Sequence, residues 1–412
     1  MNILSPDQQT AYDRIVQFIC DPTKMYFVLE GFAGSGKSTL MRYLVDELPK
    51  LQKTFEAVGS ELRLPEISFT ATTHKAAENL SVITGMPVVT IHSLLGLRLQ
   101  KDYKTGRNFL VVRSGASIPT NQIIIVDESS YLDKTLLNFI RQRTYRCKVI
   151  FMGDPYQLVP VGLNTAPVFD LGLETVRLTG NHRNQNLIQD FSASLRNTIE
   201  TGEWFQFKPD GNQIIHTSQK DFNDLIVSEF TRPDWKYNDS RVLAYTNNRS
   251  VEYNNFIQSQ VKGTYEFEAG DYARSNKYVQ SPSGNAQIRN DETVFIQEVS
   301  LSAYSPYGVS GKNVLINHNW YFHPNSIKEV KQAEKNALEN GDTDFLRNTS
   351  HWLDLRAHFS ETVNKSQGST YKKVFIDLND VSRASTGSLI ARLLYVGASR
   401  AQEQVILTGD LV

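Results

Sequence analysis

The sequence predicts an α/β protein built on parallel sheets, and three features of the residue pattern carry that prediction. Apolar runs bounded by turns, MYFVLEG, ISFTATT, QIIIVDES and KVIFMGD, recur through the first part of the chain. Helical patterns separate them, one from 38 to about 48 and another from 74 to 80. From about Leu178 the rhythm starts again, with RVLAYTN as a strand and SVEYNNFIQSQV as the helix that follows. Unbroken apolar strands alternating with helices belong to a sheet covered on both faces, which is how parallel sheets are buried.

The first rhythm spans residues 1–177 and is interrupted at about 94–119. There LRLQKDYKTGRNFLVVR reads as two strands around a polar turn at Lys104, Thr105 and Gly106, an inserted β-hairpin. The second unit covers 178–261, stops near Lys262, and resumes over 356–412 with the strand KKVFIDL, a helix at about 388–399 and the strand QVILTG. Residues 262–355 are therefore expected to form an inserted accessory domain. Within it TVFIQEV and NVLINHNWYF alternate like strands of a small SH3-like β-barrel, and SIKEVKQAEKNALENG reads as a helix stopped by Gly341.

A chain of 412 residues with 40% hydrophobic content is too large for a single small binding module. Lys plus Arg (43) nearly balances Asp plus Glu (44), so any surface for a polyanion must be a local track of basic and polar groups. The only cysteines, Cys20 and Cys147, lie outside any Cys-x-x-Cys or His-rich context, which argues against a disulfide framework or a zinc site. The opening MNILSPDQQTAYDRI lacks a signal pattern and no apolar run is long enough to span a bilayer, so a soluble cytoplasmic protein with no membrane partner is expected.

The segment Gly31, Phe32, Ala33, Gly34, Ser35, Gly36, Lys37, Ser38 matches the P-loop pattern G-x-x-x-x-G-K-[ST] between a strand and a helix. Glycines let backbone N–H groups wrap phosphates at the helix N-terminus, Lys37 reaches the terminal phosphates, and Ser38 suits Mg²⁺. IIIVDE ends an apolar strand with Asp127, a Mg²⁺ ligand through water, and Glu128, a general base for the attacking water. In GDPYQLVPVG, Gln157 can sense the γ-phosphate or position water; a loop hydrogen bond is its plainer role. Arg183 in LTGNHRN and Arg400 in LLYVGASRA each follow an apolar segment of the second unit. Cations supplied from a second domain would make hydrolysis depend on closure.

The ordered series LSPDQQTAY, GFAGSGKST, TATTHKAAENL, TIHSLLGL, IIIVDESSYLD, GDPYQLVPVG, LTGNHRN, AYTNNRSVEYNN, TVNKSQGST and LLYVGASRA resembles the motifs of superfamily 1 DNA helicases of the RecD-like group. The resemblance implies two RecA-like domains, ATP and Mg²⁺ as cofactors, and 5′ to 3′ travel on single-stranded DNA and single-strand/duplex junctions. It also implies that Gln8 contacts the adenine edge, that the P-loop through Thr39 binds nucleotide, and that the catalytic residues act as argued above. His182 sits where such helicases often carry a ring stacked on adenine; a cap or surface role is the alternative. A phage replication or recombination setting, a single-strand-binding or recombination protein as partner, and action as a monomer complete the expectation.

For the strand track, the motifs place Thr72, Thr73, His74, Thr90, His92 and Ser93 in the first domain, and Thr246, Asn247, Thr362, Lys365, Ser366 and Gln367 in the second. Short polar side chains with a few cations suit a sequence-tolerant grip on phosphates and sugars, although each Ser or Thr by itself is a cap or turn residue first. TVNKSQG departs from the family at Asn364, where His is usual, so a ring or charge at that place is lost. The inserted hairpin falls where relatives carry a strand-separating pin, and Tyr103 or Phe109 could stack at the fork or pack locally. The competing readings are a translocase that strips proteins without unwinding and, remotely, a P-loop switch or small-molecule kinase.

Overall fold

A computed structural model describes residues 4–59, 63–101, 108–160, 163, 165–180, 186–281, 284, 286–305 and 307–411. The first sheet has six strands, all parallel, in the order Val88–Thr90, Glu66–Ala71, Gln122–Asp127, Lys148–Gly153, Tyr26–Gly31, Glu174–Leu178. Its three central strands, Gln122–Asp127, Lys148–Gly153 and Tyr26–Gly31, are mostly apolar because each face meets a separate core. Ile123, Ile125, Phe27, Leu29 and Ile150 pack on one side, while Ile124, Val126, Val28, Val149 and Phe151 pack on the other. Burying such a side chain stabilises the fold by roughly 1.5–3 kcal/mol.

The second sheet is also parallel and has five strands, ordered Ser360–Thr362, Ser240–Ala244, Tyr371–Asp377, Ala401–Thr408, Ile214–Thr217. Leu243, Val374, Ile376, Val405 and Leu407 face the helix Gly387–Ala398, and Val242, Phe375 and Ile406 face the opposite core with Phe222, Tyr253 and Ile257. From Ile390 to Ala398 every residue of that helix is buried. These two sheets are the parallel layers that the α/β rhythm anticipates, and they agree with the two RecA-like domains that the resemblance implies.

Between the strands of the second sheet lie short antiparallel strands, Tyr272–Ser275 through Leu355–Arg356, followed in part by the helices Ile327–Asn340 and Thr343–Thr349. Ala273, Val279, Ile288, Val294, Val314 and Tyr321 from these strands share one small core. NVLINHNWYF is not one strand but two, Ser310–Ile316 and Asn319–Pro324. Asn317 (φ 48°) and His318 (φ 61°) turn the chain between them, the left-handed pair that a tight hairpin with correctly twisted strands requires. In the first unit Leu97–Lys101 pairs with Asn108–Val112 as the expected hairpin, and its turn at 102–107 lies outside the described residues.

The helix after the P-loop corrects the expectation of a stop near 48: it runs Lys37–Ala57 with Pro49 inside. Proline costs about 3 kcal/mol in a helix interior. The chain continues because Leu44 is buried and Val45 and Leu48 pack on the first core, while Gln52 accepts the Leu64 N–H at 2.9 Å beyond it.

His358 joins the insert to the second sheet. Its Nδ1 lies 2.9 Å from the Tyr272 carbonyl, its ring stacks on Phe359 at 4.9 Å, and its Nε2 is buried without a partner. Burial, reinforced by Arg241, lowers its pKa to about 3. The unfolded chain therefore takes up a proton near pH 6.5 that the folded chain refuses, so stability is full above that value and falls by roughly 1.4 kcal/mol per pH unit below it. Urea unfolding at pH 7 and pH 5 is expected to register this loss, and His358→Gln is expected to flatten it. Equal slopes for both proteins would refute the assignment.

Candidate nucleotide site and strand track

Tyr26–Gly31 ends in the sheet centre, and the loop after it turns through Gly34 (φ 88°) and Gly36 (φ 85°) into the long helix. A Cβ at Gly31 would collide with Ser35 Oγ, so glycine there leaves that hydroxyl in place. Lys37 Nζ donates to the carbonyls of Gly31 at 2.5 Å and Phe32 at 3.2 Å, folding its ammonium back over the loop. Ser35 Oγ is buried without a partner. Ser38 is half-buried and Thr39 exposed at the helix start. An ammonium held only by carbonyls, an orphaned hydroxyl and a side-chain-free cradle fit the terminal phosphates of a nucleotide. Gln8 is buried beside this loop, its amide 3.5 Å from the Gly36 carbonyl and its oxygen accepting the Ser5 N–H at 3.1 Å.

Asp127 closes the strand Gln122–Asp127, and Glu128 takes a left-handed conformation (φ 52°), which turns it out of the strand direction. Asp127 accepts the Glu128 N–H at 2.9 Å. Burial raises the Asp127 pKa against the pull of Lys37. Burial and the Asp127 charge push Glu128 up to about 7, opposed by Arg400 and Lys37. Among the described residues no group of three His, Cys, Asp or Glu could hold a metal alone. Ser38 and Asp127 are instead two hard oxygen donors, which suits Mg²⁺, a cation that fills its shell with water and phosphate oxygens.

The second sheet contributes the opposite wall. Gln367 donates to the Gln157 amide oxygen at 2.9 Å, and both are buried. Arg400 is 6% exposed; its guanidinium donates to the carbonyls of Val396 and Ser369 and to Ser399 Oγ at 3.0–3.3 Å, and no carboxylate is among these partners. Residue patterns did not single out two others. Arg392 donates to the carbonyls of Pro155 and Gln157 at 2.7 and 2.6 Å, and the Tyr395 hydroxyl donates to Asp154 at 2.6 Å and lies 3.5 Å from the Ala33 N–H. The signal was their three-residue spacing on one helix face, continued by Ser399.

On the strand track, several hydroxyls serve their own helices. Thr73, Thr90 and Thr246 are N-caps, accepting the N–H groups of Ala76, Ser93 and Arg249 at 3.2 Å, and Ser366 Oγ bonds the Val363 carbonyl at 2.8 Å. Thr72 Oγ1 donates to the Glu128 carbonyl at 3.3 Å, tying it to the loop after the strand Gln122–Asp127. Thr362 caps a short helix without a side-chain bond, and Asn247 and Ser93 are exposed. Burial lowers the pKa of both His74 and His92. Lys365 reaches into the insert, 2.8 Å from Asn276 Oδ1 and 2.7 Å from Asp291. Phe109, on the hairpin, is 45% exposed, and Leu99, on the paired strand, is 69% exposed. Tyr103, His182 and Arg183 lie outside the described residues.

Residues 3–218, just over half the chain, match the family described as AAA domain, and residues 359–408 match the UvrD-like helicase C-terminal domain. The ATP-dependent DNA helicase dda of Enterobacteria phage T4 is 25% identical over 452 residues, covering 98% of each chain. An uncharacterized protein, R530, of Acanthamoeba polyphaga mimivirus is 22% identical over 493 residues, covering 97% of this chain and 98% of the other. A structure of two Pif1 helicases at forked double-stranded DNA aligns with a TM-score of 0.53 at 18% identity, covering 100% of this chain and 93% of the other. Bacteroides Pif1 with ADP-AlF3 and single-stranded DNA aligns at 0.50 and 17%, covering 100% and 94%. No helix among the described residues is long and apolar enough to cross a membrane. The chain belongs to the AAA-domain family and, with its UvrD-like helicase C-terminal domain, is an ATP-dependent helicase of superfamily 1.

Proposed function

We propose that the chain is an ATP-driven DNA helicase that travels 5′ to 3′ on single-stranded DNA and unwinds the duplex ahead of it. The observation that carries this reading is a nucleotide cleft with two walls. Lys37, Asp127, Glu128 and Gln157 come from the first sheet, and Arg400, Gln367, Arg392 and Tyr395 come from the second. A nucleotide gripped by both walls would draw them together, and its hydrolysis would release them, so that alternating grip moves the strand.

In this reading the P-loop, with Lys37, holds the terminal phosphates, and Gln8 holds the adenine edge. Ser38 and Asp127 would hold Mg²⁺, which would neutralise phosphate charge when bound. Glu128 takes the proton of the attacking water, Gln157 orients that water, and Arg400, with Arg183, meets the charge on the transferred group. Residues 1–177 form one motor half and 178–261 with 356–412 the other, with 262–355 as the accessory module. The track residues of both halves carry the strand as a monomer, and a single-strand-binding or recombination protein is the expected companion.

Polarity rests on the resemblance to Dda and the RecD-like group. Strand displacement on partial duplexes with a 5′ or a 3′ tail tests it: displacement from the 5′ tail alone is expected, and displacement from the 3′ tail alone would discard the polarity. The exposed hairpin favours unwinding over protein stripping, because exposed apolar side chains there can meet unstacked bases. Phe109→Ala is expected to cut strand displacement severalfold while sparing DNA-stimulated ATPase. Unchanged displacement would favour the translocase reading.

A further inference from the structure

Glu361 stands immediately before Thr362 of the track and is 2% exposed. Arg274 of the insert and the Tyr371 hydroxyl both donate to its carboxylate. Arg241 of the second sheet lies 3.9 Å away, and Lys75, on the first-sheet helix that begins at His74, lies 4.0 Å away. Three cations drawn from three parts of the chain thus share one carboxylate. The Lys75 ammonium, Arg241 Nε and Nη1, and Arg274 Nε are buried without hydrogen-bond partners. Burial lowers the Lys75 pKa to about 8, with Tyr371 and Asp291 opposing the shift and Arg274 and Arg241 adding to it.

We propose that Glu361 is a positioning residue for the closed cleft: it is the counter-ion that lets Lys75, Arg274 and Arg241 converge, so it couples assembly of the two track halves to closure over nucleotide. The proposal rests on the motor reading above. Arg241 is anchored by its own bond to the Tyr237 carbonyl at 2.8 Å, and Arg274 sits in a strand paired on both edges. Lys75 is the cation that domain separation can remove. Without the carboxylate, like charges in a poorly solvated junction repel one another, and the chain relieves that repulsion by opening. Opening also breaks neighbouring ties across the same seam, from the Tyr131 hydroxyl to the Asn364 carbonyl at 3.0 Å and from Asn79 to the Gly368 carbonyl.

The test compares Glu361→Gln, Lys75→Met/Glu361→Gln and Lys75→Arg/Glu361→Gln in the full chain. ATP turnover stimulated by oligo(dT), affinity for a fluorescent ATP analogue, and closure read by energy transfer between dyes on the two sheets are measured. Glu361→Gln is expected to lower turnover and the closed population about tenfold, with nucleotide affinity falling by no more than the same factor. Methionine at 75 is expected to restore most of both, and arginine to restore neither. A purely structural role for Glu361 would not be rescued from the other domain. Wild-type closure in Glu361→Gln, or no recovery with methionine, overturns the proposal. If Glu361→Gln alone does not fold, the same methionine-versus-arginine comparison is read from the melting temperature: recovery with methionine alone supports the coupling, and no recovery overturns it. If the wild type shows no DNA-stimulated turnover, the motor reading fails, and closure with a non-hydrolysable analogue alone decides the role of Glu361.

Discussion

Arg400→Ala is expected to lower stimulated ATP turnover by about a thousandfold while leaving ATP affinity within a few-fold. The guanidinium is buried at the end of the helix Gly387–Ala398, held only by neutral oxygens of Val396, Ser369 and Ser399. Its charge therefore remains available to a developing negative charge, and its influence already reaches Glu128, whose pKa it pulls down. Removing a cation that acts on the transition state raises the barrier without a matching loss of ground-state binding. Pre-steady-state turnover together with equilibrium nucleotide binding separates the two. A loss of affinity equal to the loss of rate would make Arg400 a ground-state contact and would remove it from the catalytic set.

Glu128→Gln is expected to reduce hydrolysis by roughly a hundred- to ten-thousandfold, the usual range for losing a general base. Glutamine keeps the shape and the left-handed turn position but cannot take the proton. Nucleotide binding should survive, because Lys37 and the loop glycines are untouched, and the variant is expected to accumulate bound ATP in a single-turnover experiment. Wild-type turnover would mean that another group takes the proton.

Much of this machinery is local in the chain, and local patterns are what a sequence displays. The P-loop needs its glycines, Lys37 and Ser38 within eight consecutive residues, so its geometry follows from backbone freedom at Gly34 and Gly36. The strand IIIV announces burial on both faces because neighbouring side chains point to opposite sides and all are apolar; the separate cores around Ile123 and Ile124 bear this out. Gly341 likewise stops its helix with φ 70°, as its place after the periodic run predicts.

Other features depend on partners distant in the chain. The helix through Pro49 has Leu44, Val45 and Leu48 packed on the first core before the proline and Gln52 bonded to the Leu64 N–H after it, partners that no rule about proline alone contains. Gln367 belongs by motif to the strand track, yet its amide meets Gln157 across the cleft from 210 positions away. Arg392 and Tyr395 read as members of an apolar helix until the first sheet is brought against them. The cluster around Glu361 joins residues from 75 to 371, and each of its cations would pass for a solvated surface group by itself. Backbone preference and hydrophobic period act over a few residues and so are written in order along the chain. Whether a buried charge is matched, or a cleft has a second wall, depends on which surfaces packing brings together, and only the folded arrangement decides that.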